Sequence, residues 1–210
     1  MKATGVIIGT GPWRDEARIT ADLAQSNTGI PFVVLDQLIE GPSHPSWMKC
    51  WVPELVDSDL TILMDADVIP LRKFDPVALL GDRDFVAAHD TKHPCVSRVC
   101  EPHNLDPDAY VNGGLFIFNR RGADVLREAR KLHDHWDHPF WEQTPVNIAM
   151  SLVQLKKGWI PRVYNQCQEI DHLEKELSRW IHCVNLHALS LRNDIGRFQN
   201  LRRNILELIK

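Results

Sequence analysis

Residues 59–71 read DLTILMDADVIPL. An apolar run, Leu60 to Met64, has the length and character of a buried strand. It ends in Asp65-Ala66-Asp67 and leaves through Val68, Ile69 and Pro70. In extended chain, residues i and i+2 point to the same side, so the two carboxylates are expected side by side at a strand tip. Two adjacent anions repel, and a divalent cation is their natural partner. Hard oxygen ligands suit manganese or magnesium. The plainer alternative is that both aspartates serve a turn or cap a helix.

Working outward, strands alternate with helices. TGVIIGT (4–10) reads as a first strand, followed by a helix that opens near Pro12 and ends at Asn27, Thr28 and Gly29. IPFVVLD is a second strand, WMKCWVPELV a short helix before the aspartates, and DFVAAHD (84–90) a further strand. Residues 91–109, with prolines at 94, 102 and 107, read as loop. GGLFIFN (113–119) is a buried strand, and GADVLREARKLHDHW a helix. A second helix covers about 144–156, with Trp141, Ile148, Ala149, Leu152 and Leu155 on one face. WIPRVY and IHCVNLHAL supply later strands, and an amphipathic helix covers about 194–210. This order predicts one α/β domain over 1–210, with a mixed, mainly parallel sheet flanked by helices on both faces. Ligands of such sheets collect beyond the carboxyl ends of the strands, where Asp65 and Asp67 are expected.

Composition narrows the partners. The 210 residues are 44% hydrophobic and 25% charged, with a formal net charge of −4, which gives no electrostatic case for nucleic acid. No run reaches the roughly 18 apolar residues of a membrane span. MKATGVIIGTGPW is too short in its apolar part for a signal peptide. Five cysteines, an odd number without regular spacing, read as reduced thiols in a cytoplasm. Arg197, Arg202 and Arg203 on the last helix offer peripheral contact with an anionic membrane, though packing on the helix's own domain is the expected use.

Two further stretches carry polar groups to the same region. In YVNGGLFIFNR, Asn112 precedes Gly113 and Gly114, so backbone can approach a ligand closely beside an amide. A tight turn into the strand explains the same letters. In FWEQTPVNIAM, Pro145 suits the first position of a helix and Thr144 its cap, leaving Glu142 and Gln143 just outside the helix start, where they can reach a pocket. Complementing the helix dipole would be the bland role for Glu142.

Read in order, WMKCWVPELV, LTILMDADV, FVAAHD, VNGGLFIFN, FWEQTPVN, GWIPRVYN and VNLHALS resemble the family-8 type glycosyltransferases of the GT-A fold. The similarity covers about residues 45 to 190 and rests on the ordered set rather than on any one motif. It implies a UDP-sugar donor, an acceptor hydroxyl, retention of anomeric configuration, and a manganese ion held by Asp65, Asp67 and a late histidine, His187. By the same resemblance Asp65 also meets the ribose, Lys49 the donor phosphates, and Asn112, Gly113 and Gly114 border the sugar. Asp90 matches an acidic position at the end of the fourth strand, Gln143 a polar position beside the anomeric carbon, and Thr10 with its neighbours lines a nucleoside pocket. Glu142 is the better chemical candidate for a covalent adduct and Gln143 the better positional match; stabilisation of an oxocarbenium-like state by either is the other route. The chain departs from the family's H-x-x-G-x-x-K pattern, with Ser190 and Asn193 at the glycine and lysine places. Arg192, one residue early, is the substitute for holding the diphosphate.

Three other readings compete. MDADV is similar to the haloacid-dehalogenase phosphatase motif, which normally sits on a first strand with a later acidic pair. A sugar-nucleotide binder without turnover is compatible with the altered tail after His187. His93, Cys95, Cys100 and His103 could form a zinc site, although a loop near the substrate is the simpler expectation. GTGPW lacks the third glycine of a dinucleotide fingerprint. Trp141 and Trp159 could stack on sugars, with core packing the safer expectation for each.

Overall fold

The structure is a computed structural model that describes residues 1–41, 44–90, 94–133, 142–161, 166–168, 188–191 and 195–208. Its main sheet contains β1 (Ala3–Ile8), β2 (Phe32–Leu35), β3 (Leu60–Asp65), β5 (Phe85–His89), β6 (Val111–Asn119) and β7 (Lys157–Ile160). They lie in the order β2-β1-β3-β6-β5-β7. The β1–β2, β1–β3 and β5–β7 pairs are parallel, whereas β6 runs antiparallel to both β3 and β5. A smaller sheet joins β4 (Val68–Pro70), β9 (Ala188–Leu191) and β8 (Gln166–Gln168) in the order β4-β9-β8. Ser190 faces Val68 and Ala188 faces Pro70, so the Leu191 end of β9 is the one nearer Asp67.

The sheet is covered on both faces, as its continuous apolar strands require. One core cluster joins Val6, Leu63, Phe85 and Phe116 to Trp47, Leu126 and Val146. The other joins Ile7, Ile62, Met64 and Ile117 to Ala17, Ala21 and Ala24. Those three alanines belong to α1 (Arg14–Thr28), which stops at Gly29, a left-handed residue at φ 72°. A side chain there would be strained, and glycine is the usual terminator. Behind α1 lies α7 (Ile195–Leu208). Glu16 of α1, 2% exposed, accepts from Gln199 Nε2 at 2.8 Å and is ion-paired to Arg202. Arg202 therefore faces its own domain, as packing of the last helix predicts. No helix among the described residues is long and apolar enough to cross a membrane.

Several local expectations are corrected. The segment expected as loop contains α4 (Pro94–Cys100) and a 3-10 turn, Glu101–His103. Pro94 and Pro102 sit in the first positions of these helical turns, where a missing N–H costs nothing, instead of breaking them. The short helix before β3 is mostly a 3-10 turn, Pro45–Trp51, with only Val52–Leu55 (α2) winding as α-helix. A further helix, α3 (Pro76–Leu80), is capped by Asp75, whose carboxylate accepts from the N–H groups of Val77 and Ala78. After α5 (Ala123–Arg130), α6 runs Gln143–Leu152. Its inner face is not the expected one: Gln143, Thr144, Val146, Asn147 and Ala149 are buried while Leu152 is exposed. The amino end of α6 is sunk into the molecule against β6, so polar residues are inside and its carboxyl end meets solvent.

Candidate active site

The carboxyl ends of β1, β3 and β5 share a rim with the amino end of β6, because β6 runs against its neighbours. Strand exits thus meet a strand entry. The first residues of β6 lie within reach of side chains from the start of α6.

At the centre is Lys49, delivered by the 3-10 turn and only 3% exposed. Its Nζ lies 2.6 Å from Asp65 Oδ1 and 2.6 Å from Glu142 Oε1, and it donates to the Gly113 carbonyl at 3.0 Å. An ammonium has three donors, and these three oxygens match them. Burial alone would lower the Lys49 pKa, but the carboxylates of Asp65 and Glu142 outweigh it and hold the pKa raised. Burial also pushes the Glu142 carboxyl up, against the pull of Lys49 and with a further push from Asp65. Ser46 adds a side-chain hydrogen bond to Glu142. Glu142 is the residue before α6, so the positive end of the helix dipole adds to its stabilisation.

Gln143 forms the next link. Its Nε2 donates to Asp90 Oδ2 at 2.7 Å, and its Oε1 accepts from the Gly113 N–H at 3.0 Å. One turn on, Asn147 pairs with Val111 as a neighbouring strand would: Oδ1 accepts from the Val111 N–H at 2.8 Å and Nδ2 donates to its carbonyl at 3.1 Å. Tyr110 and Thr144 share a buried hydroxyl contact of 2.6 Å. Asn112 turns its Oδ1 onto the N–H of Gly114 at 2.8 Å. Sequence reasoning did not single out Ser46, Tyr110 or Asn147, and it took Thr144 for the helix cap, whereas α6 starts at Gln143 with Glu142 at the cap position. The Gln143/Asn147 spacing of four on a helix was the available signal.

Gly113 is crowded from three sides. A Cβ there would lie 3.3 Å from Glu142 Oε1, 3.4 Å from Gln143 Oε1 and 3.4 Å from Lys49 Nζ. A methyl group there would push these side-chain ends back by a few tenths of an ångström, so glycine is what lets them close fully on the β6 backbone.

The two aspartates do not follow the extended geometry expected of them. β3 ends at Asp65, and Ala66-Asp67 form a turn into β4. Thr20 Oγ1 anchors that turn by donating to the Ala66 carbonyl at 3.1 Å. Asp65 keeps its side chain 31% exposed despite its contact with Lys49. Asp67 is partly exposed one turn position later. These half-open carboxylates at a strand end have the hard-oxygen chemistry that manganese or magnesium takes. His187 and Arg192 lie outside the described residues. Among the described residues no group of three His, Cys, Asp or Glu could hold a metal. For the zinc expectation, Cys100 is buried with Val96, Val99 and Tyr110 while His103 is exposed; His93 and the Cys95 side chain lie outside the described residues.

Thr10 lines a cleft of ≈ 270 Å³ with Ile8, Gly11, Pro12, Trp13, His44 and Pro45, at the β1 side of the rim.

No family model matches the sequence, and no curated protein matches it. Solved structures do match. The bifunctional glycosyltransferase WbbM superposes with a TM-score of 0.67 at 12% identity over 99% of this chain, which spans 51% of WbbM. A glycosyltransferase involved in glycosylation of the major capsid of PBCV-1 gives 0.67 at 9% identity, covering 97% of this chain and 100% of that one. Galactosyltransferase LgtC, solved with donor and acceptor sugar analogs, gives 0.62 at 14% identity, covering 96% and 95%. The chain has the GT-A glycosyltransferase fold. At these identities the likeness is one of architecture, and the GT-A fold accounts for the mixed sheet with its one reversed strand.

Proposed function

We propose that this chain is a glycosyltransferase that moves a sugar from a UDP-sugar to an acceptor hydroxyl with retention of configuration. The observation that carries the reading is the convergence of Asp65, Gly113 and Glu142 on the Lys49 ammonium, at the strand rim of a fold shared with glycosyltransferases. In this reading the nucleoside occupies the Thr10–Trp13 cleft. Asp65, Asp67 and His187 hold manganese or magnesium, which when bound neutralises charge on the diphosphate. Arg192, the residue after β9, is the candidate for a direct phosphate contact.

The chain's own residues then divide the work. Lys49, with its donors taken by three oxygens, fixes Asp65 and Glu142 in place. Glu142 is 3% exposed and held by Lys49 and Ser46, so it supplies negative potential beneath the transferred sugar. A covalent adduct on Glu142 would require breaking that clamp. Gln143 and Asp90, joined at 2.7 Å, border the place where positive charge develops on the anomeric carbon. An oxocarbenium-like route is therefore the one this reading adopts.

Release of UDP from a panel of UDP-sugars, with and without manganese, tests the proposal. Asp67→Ala is expected to abolish metal-dependent release while leaving the fold intact. Full release by that variant, or no binding of UDP by the parent protein, sinks the assignment.

A further inference from the structure

Among the described residues Trp159 is the one aromatic side chain that ranks with the large exposed apolar groups, at 46%. It is not a loose surface residue. Its ring stacks on His89 with centroids 5.1 Å apart and planes 6° from parallel. Its Nε1 donates to the Ala109 carbonyl at 3.3 Å. One ring face is thus covered, the polar edge is satisfied, and the orientation is fixed. Leaving this much indole in water forfeits burial that a tryptophan normally gains. A rigid aromatic face kept open at that cost is a stacking surface.

Its position says what stacks there. Trp159 lies in β7 beside Ala87 of β5, and β5 ends at His89, followed by Asp90. Ala109, which takes the indole N–H, precedes Tyr110, whose carbonyl accepts from the Asp90 N–H at 2.9 Å. Asp90 in turn accepts from Gln143. β7 is therefore one strand spacing, about 5 Å, from the strand that leads into Asp90, the partner of Gln143. The Thr10–Trp13 cleft adjoins β1, four strands away in the order β1-β3-β6-β5-β7, or roughly 19 Å. A nucleoside in that cleft does not reach Trp159, and the transfer centre lies between the two.

We infer that the Trp159–His89 stack is the floor of an acceptor subsite that takes a pyranose by its apolar C–H face. The acceptor class is accordingly a carbohydrate, not a bare protein or lipid hydroxyl. The inference rests on the glycosyltransferase reading above and adds the acceptor's chemistry to it.

The test uses saturation-transfer NMR on the full chain with methyl β-glucoside, methyl β-galactoside, cellobiose and lactose as probes. UDP binding with manganese, read by thermal shift, runs in parallel. At least one saccharide is expected to bind with its ring C–H protons most strongly saturated. Trp159→Ala should weaken that binding about tenfold, and Trp159→Phe should keep it within about threefold, because the smaller ring preserves a stacking face. UDP binding should be the same in all three proteins. Saccharide binding equal in parent and Trp159→Ala, or absent while UDP binds, overturns the subsite and leaves the transferase reading standing. A change of oligomeric state in Trp159→Ala without a change in saccharide binding also overturns it, since the face would then be a contact between copies. Failure of UDP to bind any of the proteins strikes the underlying reading instead.

Discussion

Lys49 Nζ and Glu142 Oε1 stand 2.6 Å apart, although 93 residues separate them in the chain, and both side chains are about 5% exposed or less. A charge so far from water is tolerable only with its partner in place. Lys49→Met is expected to cost about 3–5 kcal/mol, because it leaves Glu142 and Asp65 facing each other without a cation. Lys49→Met combined with Glu142→Gln should recover part of that loss. Urea denaturation of the parent, both single variants and the double variant measures the coupling. Additive losses would mean that the two groups do not depend on each other.

Tyr110 gives a pH signature. Burial, opposed by its hydrogen bonds to Thr144 and Gln143, raises its phenol from an ordinary 10 to about 12. The unfolded chain ionises first as the medium turns alkaline. Stability linked to this group is therefore intact below pH 10 and disappears as pH rises toward 12, by about 2–3 kcal/mol in all. Tyr110→Phe should flatten that part of the curve while lowering stability at neutral pH by about 1–3 kcal/mol, since Thr144 loses its partner. Unfolding free energies of parent and variant at pH 8, 10 and 11.5 provide the check.

Two glycines should respond differently to the same methyl group. At Gly113 the new Cβ meets Glu142, Gln143 and Lys49 at 3.3 to 3.4 Å, distances that side-chain ends relieve by moving a few tenths of an ångström. At Gly122 it would lie 1.9 Å from the Asp84 carbonyl oxygen, which is backbone. Gly113→Ala should fold, with a cost of about 1 kcal/mol, and lose most donor turnover. Gly122→Ala should lose about 3 kcal/mol or more, or not accumulate as folded protein. Circular dichroism melts and UDP release separate the two outcomes.

The last helix supplies a further test. Arg202→Ala leaves Glu16 buried without its cation, and about 3 kcal/mol of destabilisation is expected. Sedimentation with anionic phospholipid vesicles should not differ between this variant and the parent, because Arg202 is turned toward α1. A marked loss of vesicle binding at unchanged stability would return the helix to the membrane.

Much of the sheet was legible because strands such as Leu60–Met64 and Leu115–Phe118 are buried on both faces and read as unbroken apolar runs. The Asp65, Gly113, Glu142 and Gln143 positions were legible through the order of motifs. What sequence alone did not yield was long-range pairing. Nothing near Lys49 announces Glu142, and nothing near Val111 announces the amide of Asn147. Short elements were missed for a related reason. β4 holds only three residues and exists through its pairing with β9, which lies far along the chain. The Pro94 and Pro102 turns were hidden because proline carries opposite meanings at the start and in the middle of a helix. The inner face of α6 was misread because apolar periodicity assumes a helix lying on the core, whereas this one enters it end-on.

The tie between Glu16 and Arg202 also bears on how the chain matures. The carboxylate leaves the ribosome 186 residues ahead of the guanidinium that neutralises it. Both partners of Glu16 belong to α7, whereas α1 meets the sheet through Ala17, Ala21 and Ala24, so it is the docking of α7 and not the seating of α1 that waits for late translation. A nascent chain that stops short of Arg202 is thus expected to leave the outer side of α1, around Glu16, open to protease until α7 closes over it.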